Sequence, residues 1–303
     1  MKKEITRELT MLEGQRVLLN MHGFLNIINI LRGELHILRS LVDNDEAFEG
    51  CLQVVANIRK TLGDDSPAMI TSHQIQEFHS FVEQEIAKET ANITIPESKK
   101  EDIEKSVDNI RSLFRIIHIR VRAIVSPSNK AGTWVAHHIP DLLSGMKGFL
   151  SAIIKNSKGA YNIVYDPSVK SKKDYLVRLD FRSVDGNTIH MPIVFWDCLQ
   201  DLTANARKYT PPGGKIRVLL EDNGKNLNIE VADDGLGIPE DEIDRVVEFG
   251  YRATNVSHKK TMGGGFGLSK AYYVTQNMKG RMWIDSELNN GTIISIRIPR
   301  GTR

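Results

Sequence analysis

The first 126 residues carry apolar positions at alternating spacings of four and three, the pattern of helices that pack in a bundle. The first long stripe, on a helix predicted over about 6–42, consists of Val17, Met21, Phe24, Ile28, Leu31, Leu35 and Leu38. The second, after Pro96, consists of Ile103, Val107, Ile110, Phe114, Ile117, Val121 and Ile124. Shorter amphipathic stretches lie between them. We therefore expect an all-α helical bundle, which a second copy of the chain could complete.

From about residue 160 the apolar positions follow every second residue, which is typical of half-buried strands. Asn223-Gly224 between two such stretches predicts a hairpin, and the last two strands are expected over about 281–287 and 292–298. Helical patterns interrupt these strands. The chain is thus predicted to be α+β, with an N-terminal helical bundle followed by an α/β sandwich, a mixed sheet with helices on one face.

Composition narrows the function only slightly. Forty basic and 38 acidic side chains in 303 residues leave a formal charge of +2, which gives no reason to expect binding to nucleic acid or to a membrane surface. Cys51 and Cys198 match no metal or disulfide framework, which indicates a reduced environment. The start lacks the apolar core of a signal peptide, and no apolar run reaches transmembrane length. We expect a cytoplasmic protein without a membrane segment.

One stretch places polar chemistry on a single helix face. Asp197, Asp201, Asn205 and Lys208 follow one another at spacings of four, four and three. A carboxamide oxygen is a suitable ligand for Mg²⁺, and an ammonium group suits phosphate oxygens. Taken alone, such a stripe is more often a solvated face.

Two glycine-rich segments follow this stripe. Asp233, Gly235 and Gly237 stand at the end of a predicted strand, where a carboxylate could accept a hydrogen bond from an exocyclic amine. Further on, the glycine-rich run 263–269 leads into a helix predicted over 270–278. Such a loop at a helix N-terminus presents N–H groups to phosphate, although a glycine-rich loop alone is a weak signal.

In this order, the motifs over about 193–300 resemble the ATP-binding domain of sensor histidine kinases, within the superfamily of type II topoisomerase and heat-shock chaperone ATPases. Asp201 to Tyr209 resembles the N box, and Asp233 to Gly237 the first glycine box. Phe249 to Arg252 resembles the F box, and Gly263 to Leu268 the second glycine box. Gly291-Thr292 continues the similarity, which covers about a third of the chain.

The resemblance implies that the matching residues bind Mg-ATP. Asn205 and Asp201 would hold Mg²⁺, with Asp201 orienting a magnesium-bound water, and Asp233 would recognise the adenine amine. The carboxylate of Asp201 also allows slow ATP hydrolysis as a side reaction. The implied nucleotide-binding residues are Asn205, Lys208, Tyr209, Asp233, Gly235, Gly237, Arg252, Lys259, Lys260, Gly263, Gly265, Gly267, Leu268 and Thr292.

The N-terminal helix carries a candidate phosphoacceptor. The segment 21–26, Met-His-Gly-Phe-Leu-Asn, resembles the H box of citrate- and fumarate-type sensor kinases and sporulation phosphotransferases. This implies that His22 accepts the phosphoryl group and that Asn26 orients water for dephosphorylation of the partner. Gly23 departs from the pattern, since the family has an acid there. The departure puts efficient autophosphorylation in doubt and leaves phosphatase or phosphotransfer roles open. His36 is a weaker rival acceptor.

The leading hypothesis is a homodimeric histidine kinase that binds Mg-ATP, phosphorylates His22 and passes the phosphoryl group to an aspartate of a response-regulator receiver domain. Its parts would be a helical dimerisation and phosphoacceptor region over 1–126, a connecting helix and linker over 127–158, and an ATP-binding catalytic domain over 159–303. Two alternatives are kept. One is an ATP-binding adaptor or phosphatase of a response regulator with weak autokinase activity. The other is a serine-directed kinase similar to mitochondrial-type dehydrogenase kinases.

Overall fold

A computed structural model describes residues 2–11, 13–63, 71–91, 96–125, 133–157, 159–257 and 266–300 of the chain. It divides into two compact units. The helical unit spans Glu13–Lys130, and the sheet unit combines Met1–Leu12 with Ala131–Arg303. The chain therefore enters and leaves the helical unit from the sheet unit, since the first twelve residues belong with the sheet. Among the described residues, no helix has the length and apolar character that crossing a membrane requires.

The helical unit contains four described helices, which are α1 Glu13–Leu41, α2 Glu49–Gly63, α3 Ser72–Ala91 and α4 Glu97–Val125. Helix α1 packs on α2 and α4, and α3 packs on the same two helices. The predicted stripe of α1 is fully buried at Leu31, Leu35 and Leu38, in one core with residues of the other three helices. Because one chain buries this part of the stripe, no second copy is needed to cover it.

The sheet unit contains nine described strands, which are β1 Lys2–Glu4, β2 Val135–His138, β3 Ile163–Val164, β4 Tyr175–Ser183, β5 Thr188–Met191, β6 Lys215–Asp222, β7 Asn226–Asp233, β8 Arg281–Ser286 and β9 Thr292–Pro299. Seven of them form a sheet in the order β1-β8-β9-β7-β6-β4-β3, and β2 pairs with β5. Strand β4 is parallel to β3 and β6, whereas the other neighbours are antiparallel. The sheet is therefore mixed, as predicted.

Three helices complete the sheet unit, namely α5 Ile139–Asn156, α6 Ile193–Tyr209 and α7 Gly267–Asn277. They pack on the strands that carry the buried, alternate residues of the sheet, such as Val177, Val218 and Val231. Since burial removes apolar surface from water, this alternation fixes which sheet face the helices cover. The predicted α/β sandwich is confirmed.

The N-terminal segment differs from the predicted helix over about 6–42. Residues 2–4 form an edge strand on β8, and α1 begins only at Glu13. The hydroxyl of Tyr272 donates hydrogen bonds to the carbonyl oxygens of Ile5 and Arg7, at 3.0 and 2.6 Å. These tertiary bonds hold residues 2–9, here called the N-terminal strap, in an extended path that local periodicity does not encode.

Helix α5 also differs from its expected place in a connecting segment. Its residues Leu142, Met146 and Leu150 are buried in the same core as the sheet. The helix is therefore part of the sheet unit, although the predicted boundary placed it before residue 159.

Candidate functional site

Helix α6 is the element on which the candidate site is built. It begins after Pro192, which has no N–H to leave unpaired, and its apolar face buries Phe195, Leu199 and Leu202. The hydroxyl of Thr210 donates to the carbonyl oxygen of Ala206 at 2.7 Å and closes the last turn. The buried face fixes the rotation of the helix, so that its polar stripe is presented to α7 and to the adjoining loops.

The start of α7 lies directly against the polar stripe of α6. A Cβ atom on Gly267 would lie 3.1 Å from Cβ of Asp201 and 3.3 Å from Nδ2 of Asn205. Glycine thus allows the N-terminus of α7, with its positive dipole end, to approach the two predicted magnesium ligands. Within the described residues, no side chain caps this helix start. The arrangement fits phosphate oxygens and a hard cation held near Asn205.

Two cations meet at the C-terminal end of the stripe. Burial lowers the pKa of Lys208 from its ordinary value, and the charges of Arg252 and Arg207 lower it further. Arg252 also lies close enough to Tyr209 to oppose the rise in the Tyr209 pKa that burial causes. Positive charges that act on one another in this way favour the binding of an anion. The pair Lys208 and Arg252 therefore suits a polyphosphate.

A half-buried carboxyl group, that of Asp233, lies at the end of β7. Burial raises the pKa of Asp233 to about 6, and the neighbouring charge of Asp234 acts in the same direction. The N–H of Gly235 donates to Oδ1 of Asp233 at 2.9 Å, which partly offsets that rise. Hydrogen bonds involving Thr210 and Thr292 also act against it. A carboxylate in such surroundings gains from a donor that a ligand brings, such as an amine.

The loop after Asp233 is held against α6 by backbone contacts. The N–H of Leu236 donates to the carbonyl oxygen of Tyr209 at 3.1 Å, and a Cβ on Gly235 would lie 2.6 Å from that same oxygen. Gly237 has φ of +66° and lies so close to Glu287 that a side chain would overlap the backbone there. In the first glycine box, glycine is thus required by close contacts with the protein's own backbone, whereas the sequence predicted a close approach of a ligand.

Ser286 connects the first glycine box to Thr292, and sequence reasoning missed it. Its buried hydroxyl accepts from the N–H of Ile238 at 2.9 Å and lies 2.8 Å from the Thr292 hydroxyl. A serine at the end of a strand carries no sequence signal of its own. Only the pairing of β8 with β9, which places Ser286 opposite Thr292, brings these groups together.

The F box and the second glycine box meet through their aromatic rings. Phe249 and Phe266 stack with centroids 4.5 Å apart, so the two ends of the intervening segment lie together. Glu242, another residue that sequence reasoning missed, accepts from the Tyr251 hydroxyl at 2.9 Å and from both the N–H and the hydroxyl of Thr254. These bonds anchor the F box near Arg252.

The structure describes only some of the predicted site residues. Lys259, Lys260, Gly263 and Gly265 lie outside the described residues. Helix α7 begins at Gly267 and Leu268, whereas the helix was predicted over 270–278, and the phosphate-binding role of Gly267 stays a prediction. His22 and Asn26 lie on α1, but their side chains are outside the described part of the structure, and their roles stay predictions.

Lys270 is a third residue that the sequence motifs did not identify. Its Nζ lies 3.5 Å from Oδ2 of Asp201 and 3.6 Å from Oδ2 of Asp197. A lysine one turn into a helix that then continues with buried Ala271 and Tyr272 could have signalled an internal ion pair.

A comparison with known families agrees with this interpretation of the sheet unit. The sequence profile of the family "Histidine kinase-, DNA gyrase B-, and HSP90-like ATPase" matches residues 194–302. This part of the chain is therefore similar to that family, and the predicted resemblance is confirmed.

Relatives of known name are sensor kinases. The chain is 26% identical over 223 residues to the adaptive-response sensory kinase SasA of Rippkaea orientalis, over 71% of this chain and 53% of that protein. It is 34% identical over 103 residues to the sensor histidine kinase WalK of Bacillus subtilis, over 33% of this chain and 17% of that protein. The chain thus spans about half of the first relative and less of the second. Among solved structures, a mycobacterial sensor histidine kinase, MprB, matches 55% of this chain and 97% of its own, with 19% identity and a TM-score of 0.39.

Proposed function

We propose that this protein is a two-component histidine kinase that uses Mg-ATP to phosphorylate His22 and then passes the phosphoryl group to an aspartate of a response-regulator receiver domain. The observation that carries the ATP half of the proposal is the arrangement around α6. A half-buried carboxyl group, Lys208 within reach of the Arg252 charge, and a glycine at a helix start beside Asp201 and Asn205 are the groups concerned. The sensor-kinase relatives support the choice of phosphotransfer over the other reactions of the superfamily.

In this proposal the chain's residues divide the work of binding. Asp233 accepts from the adenine amine, and the loop that contains Gly235 and Gly237 lies beside the base. Lys208 and Arg252 contact the phosphates, where charge develops during transfer. Asn205, with Asp201 orienting a water, would hold Mg²⁺. When bound, the ion supplies positive charge next to the phosphates.

His22 is the acceptor that we propose on the strength of the segment 21–26. A neutral imidazole nitrogen attacks the γ-phosphorus, the bond to ADP breaks, and the phosphoryl group is later taken by a carboxylate oxygen of the receiver domain. A homodimer through the N-terminal helices would have to use surfaces other than the buried part of the α1 stripe, because the chain itself covers that part. We further propose that the protein works in the cytoplasm.

His36 is the rival acceptor that the test must include. It is exposed on α1, and its pKa is lowered by partial burial and by the charges of Arg32 and Arg39. A larger neutral fraction at pH 7 would favour it as a nucleophile.

The proposal is tested by incubation with γ-labelled ATP and Mg²⁺, comparing the unchanged protein with His22→Ala, His36→Ala and Asn205→Ala. We expect acid-labile, base-stable label that is lost in His22→Ala and Asn205→Ala and kept in His36→Ala. Label that survives acid would point to serine phosphorylation. Label lost only in His36→Ala would move the acceptor to the second histidine.

A second candidate function is favoured by one observation, the glycine at position 23. Without an acid beside His22, the protein would act mainly as an ATP-regulated phosphatase or adaptor of a response regulator, with Asn26 orienting the attacking water. In that case a phosphorylated receiver domain loses its phosphate faster when the protein and ATP are present. Asn26→Ala would abolish the effect, and no label would appear on the protein itself.

A further inference from the structure

A buried lysine lies where α7 packs against α6, and none of the roles proposed in ATP binding uses it. The side chain of Lys270 is only 7% exposed, and those of Asp197 and Asp201 are 11% and 25% exposed. Removing an ammonium group from water is unfavourable unless carboxylates surround it. The lysine and the two acids are therefore a mutually stabilising group between the two helices.

The two carboxylates differ in their relation to the site. Asp201 is one helical turn from Asn205 and lies beside Gly267, whereas Asp197 is a further turn away. The amine is almost equidistant from both acids, 3.5 Å from Asp201 and 3.6 Å from Asp197, and so lies between their two turns. The Oδ2 atom of Asp201 therefore faces this amine in the contact between α6 and α7.

We propose that Lys270 is a positioning residue that holds the Asp201 carboxylate away from the water nearest the γ-phosphate, so that ATP is kept for transfer to a protein side chain. The inference rests on the proposed function, since it concerns how the same ATP site chooses between two acceptors. In this proposal Lys270 not only links two helices but also determines whether ATP is hydrolysed or used for phosphotransfer.

The reaction that Lys270 suppresses in this proposal is the hydrolysis of ATP. A water oxygen bonds to the γ-phosphorus, the bond between that phosphorus and the β,γ-bridging oxygen breaks, and the products are ADP and inorganic phosphate. The water gives up a proton, which a correctly aimed carboxylate can accept. A positioned general base of this kind typically contributes about 10²–10⁴-fold.

The test compares phosphate release from ATP in the unchanged protein, Lys270→Met, Lys270→Arg, Asp201→Asn and the double variant Lys270→Met/Asp201→Asn. We expect Lys270→Met to raise kcat for phosphate release at least about tenfold with little change in KM, because the freed carboxylate becomes a general base. Lys270→Arg should keep the low rate. Asp201→Asn alone gives the reference rate for a site without this carboxylate, and the double variant should not exceed that rate. Lys225→Met, at an exposed turn, is the matched control.

Two further readouts separate this role from a structural one. Thermal unfolding and equilibrium binding of a fluorescent ATP analogue are measured for every variant, and Lys270→Gln replaces Lys270→Met if the latter does not fold. A structural role alone would lower the melting temperature and the ATP affinity without raising phosphate release. That outcome would overturn the proposal, as would a gain that persists in the double variant.

Failure of the proposed function looks different. If the unchanged protein binds ATP, forms no phosphoprotein and still shows the Lys270-dependent gain, then phosphotransfer to His22 is wrong and the positioning role stands. If the unchanged protein forms phosphohistidine and Lys270→Met does not raise phosphate release, then phosphotransfer to His22 stands and the positioning role of Lys270 is wrong.

Discussion

Two polar pairs of the helical unit and the candidate site of the sheet unit differ in how well their polar groups are satisfied. In the helical unit, polar groups meet within the bundle as pairs. Ser106 donates to Glu34 at 3.1 Å, and Asn44 donates to Glu89 at 3.0 Å. In the sheet unit, by contrast, the charge of Arg252 acts with burial to lower the pKa of Lys208, and burial raises the pKa of the half-buried Asp233 to about 6. Groups held at a cost to the empty fold are the ones that a ligand can stabilise.

We therefore look for function in this chain at polar groups that the fold holds unfavourably. A hydrogen-bonded polar pair is accounted for by the stability of the bundle. An unfavourable arrangement of polar groups implies instead that a further partner binds there. The following changes test that difference, from the largest expected effect to the smallest.

Phe114→Ala should break the helical unit and spare the ATP site. Phe114 is fully buried, stacks on His79 at 4.3 Å and meets Phe78 edge-to-face at 5.4 Å. Removing a buried aromatic side chain typically costs about 3–5 kcal/mol. We expect denaturant unfolding, followed by circular dichroism, to show this loss while ATP affinity stays unchanged. Tyr165→Ala, at an exposed ring, is the control, and a parallel fall in ATP affinity would contradict the separation of the units.

Asp233→Asn should weaken ATP binding and leave the stability of the protein unchanged. The amide presents one acceptor and a donor where the carboxylate accepts a charge-assisted bond, which is worth about 1.5–3 kcal/mol. We expect ATP affinity to fall about 10–100-fold in equilibrium titration, with no loss of thermal stability, because burial disfavours the ionised acid in the empty site. Asp234→Asn, at the exposed neighbour, should change affinity little. Equal losses in both variants would argue against a specific contact to adenine.

Tyr272→Phe should loosen the N-terminal strap. The change removes the two hydrogen bonds to the carbonyl oxygens of Ile5 and Arg7. A neutral hydrogen bond contributes about 1 kcal/mol net. Hydrogen exchange of residues 2–9 should therefore become faster, while exchange in β9 stays slow. Tyr273→Phe on the same helix is the control, and faster exchange of the strap in that variant would show that the effect is not local.

The pH dependence of ATP binding should be the smallest effect. Because the pKa of Asp233 rises from 3.8 to about 6, the group is mostly ionised at pH 7 and mostly protonated below 6. ATP affinity should fall about fourfold from pH 7 to 5.5 by the titration of one such group. The stability of the empty protein should change in the opposite sense, rising as pH falls from about 6 toward 3.8, since the folded state binds this proton more tightly. In Asp233→Asn, this component of both profiles should be absent.

The sequence predicted the parts of the site whose chemistry is local. Asn205, Asp233 and Gly237 stand in short motifs whose spacing already requires a helix face, a strand end and a close turn. Lys270 and Ser286 could not be predicted in the same way, because their roles depend on which helix or strand lies opposite them. The helix predicted for the N-terminal strap was wrong for a related reason. The path of the strap is set by hydrogen bonds to Tyr272, more than 260 residues away along the chain.

The central claim is that the polar stripe of α6 and the start of α7 form an Mg-ATP site, and calorimetric titration with ATP tests it most directly. It would be run with and without Mg²⁺ on the unchanged protein, on Asn205→Ala and on Asn228→Ala, whose side chain instead donates to Glu221. We predict that Mg²⁺ strengthens ATP binding at least about tenfold in the unchanged protein and in Asn228→Ala, an effect of about 1.4 kcal/mol that is lost in Asn205→Ala. Equal effects of Mg²⁺ in all three proteins, or no ATP binding by the unchanged protein, would contradict the claim.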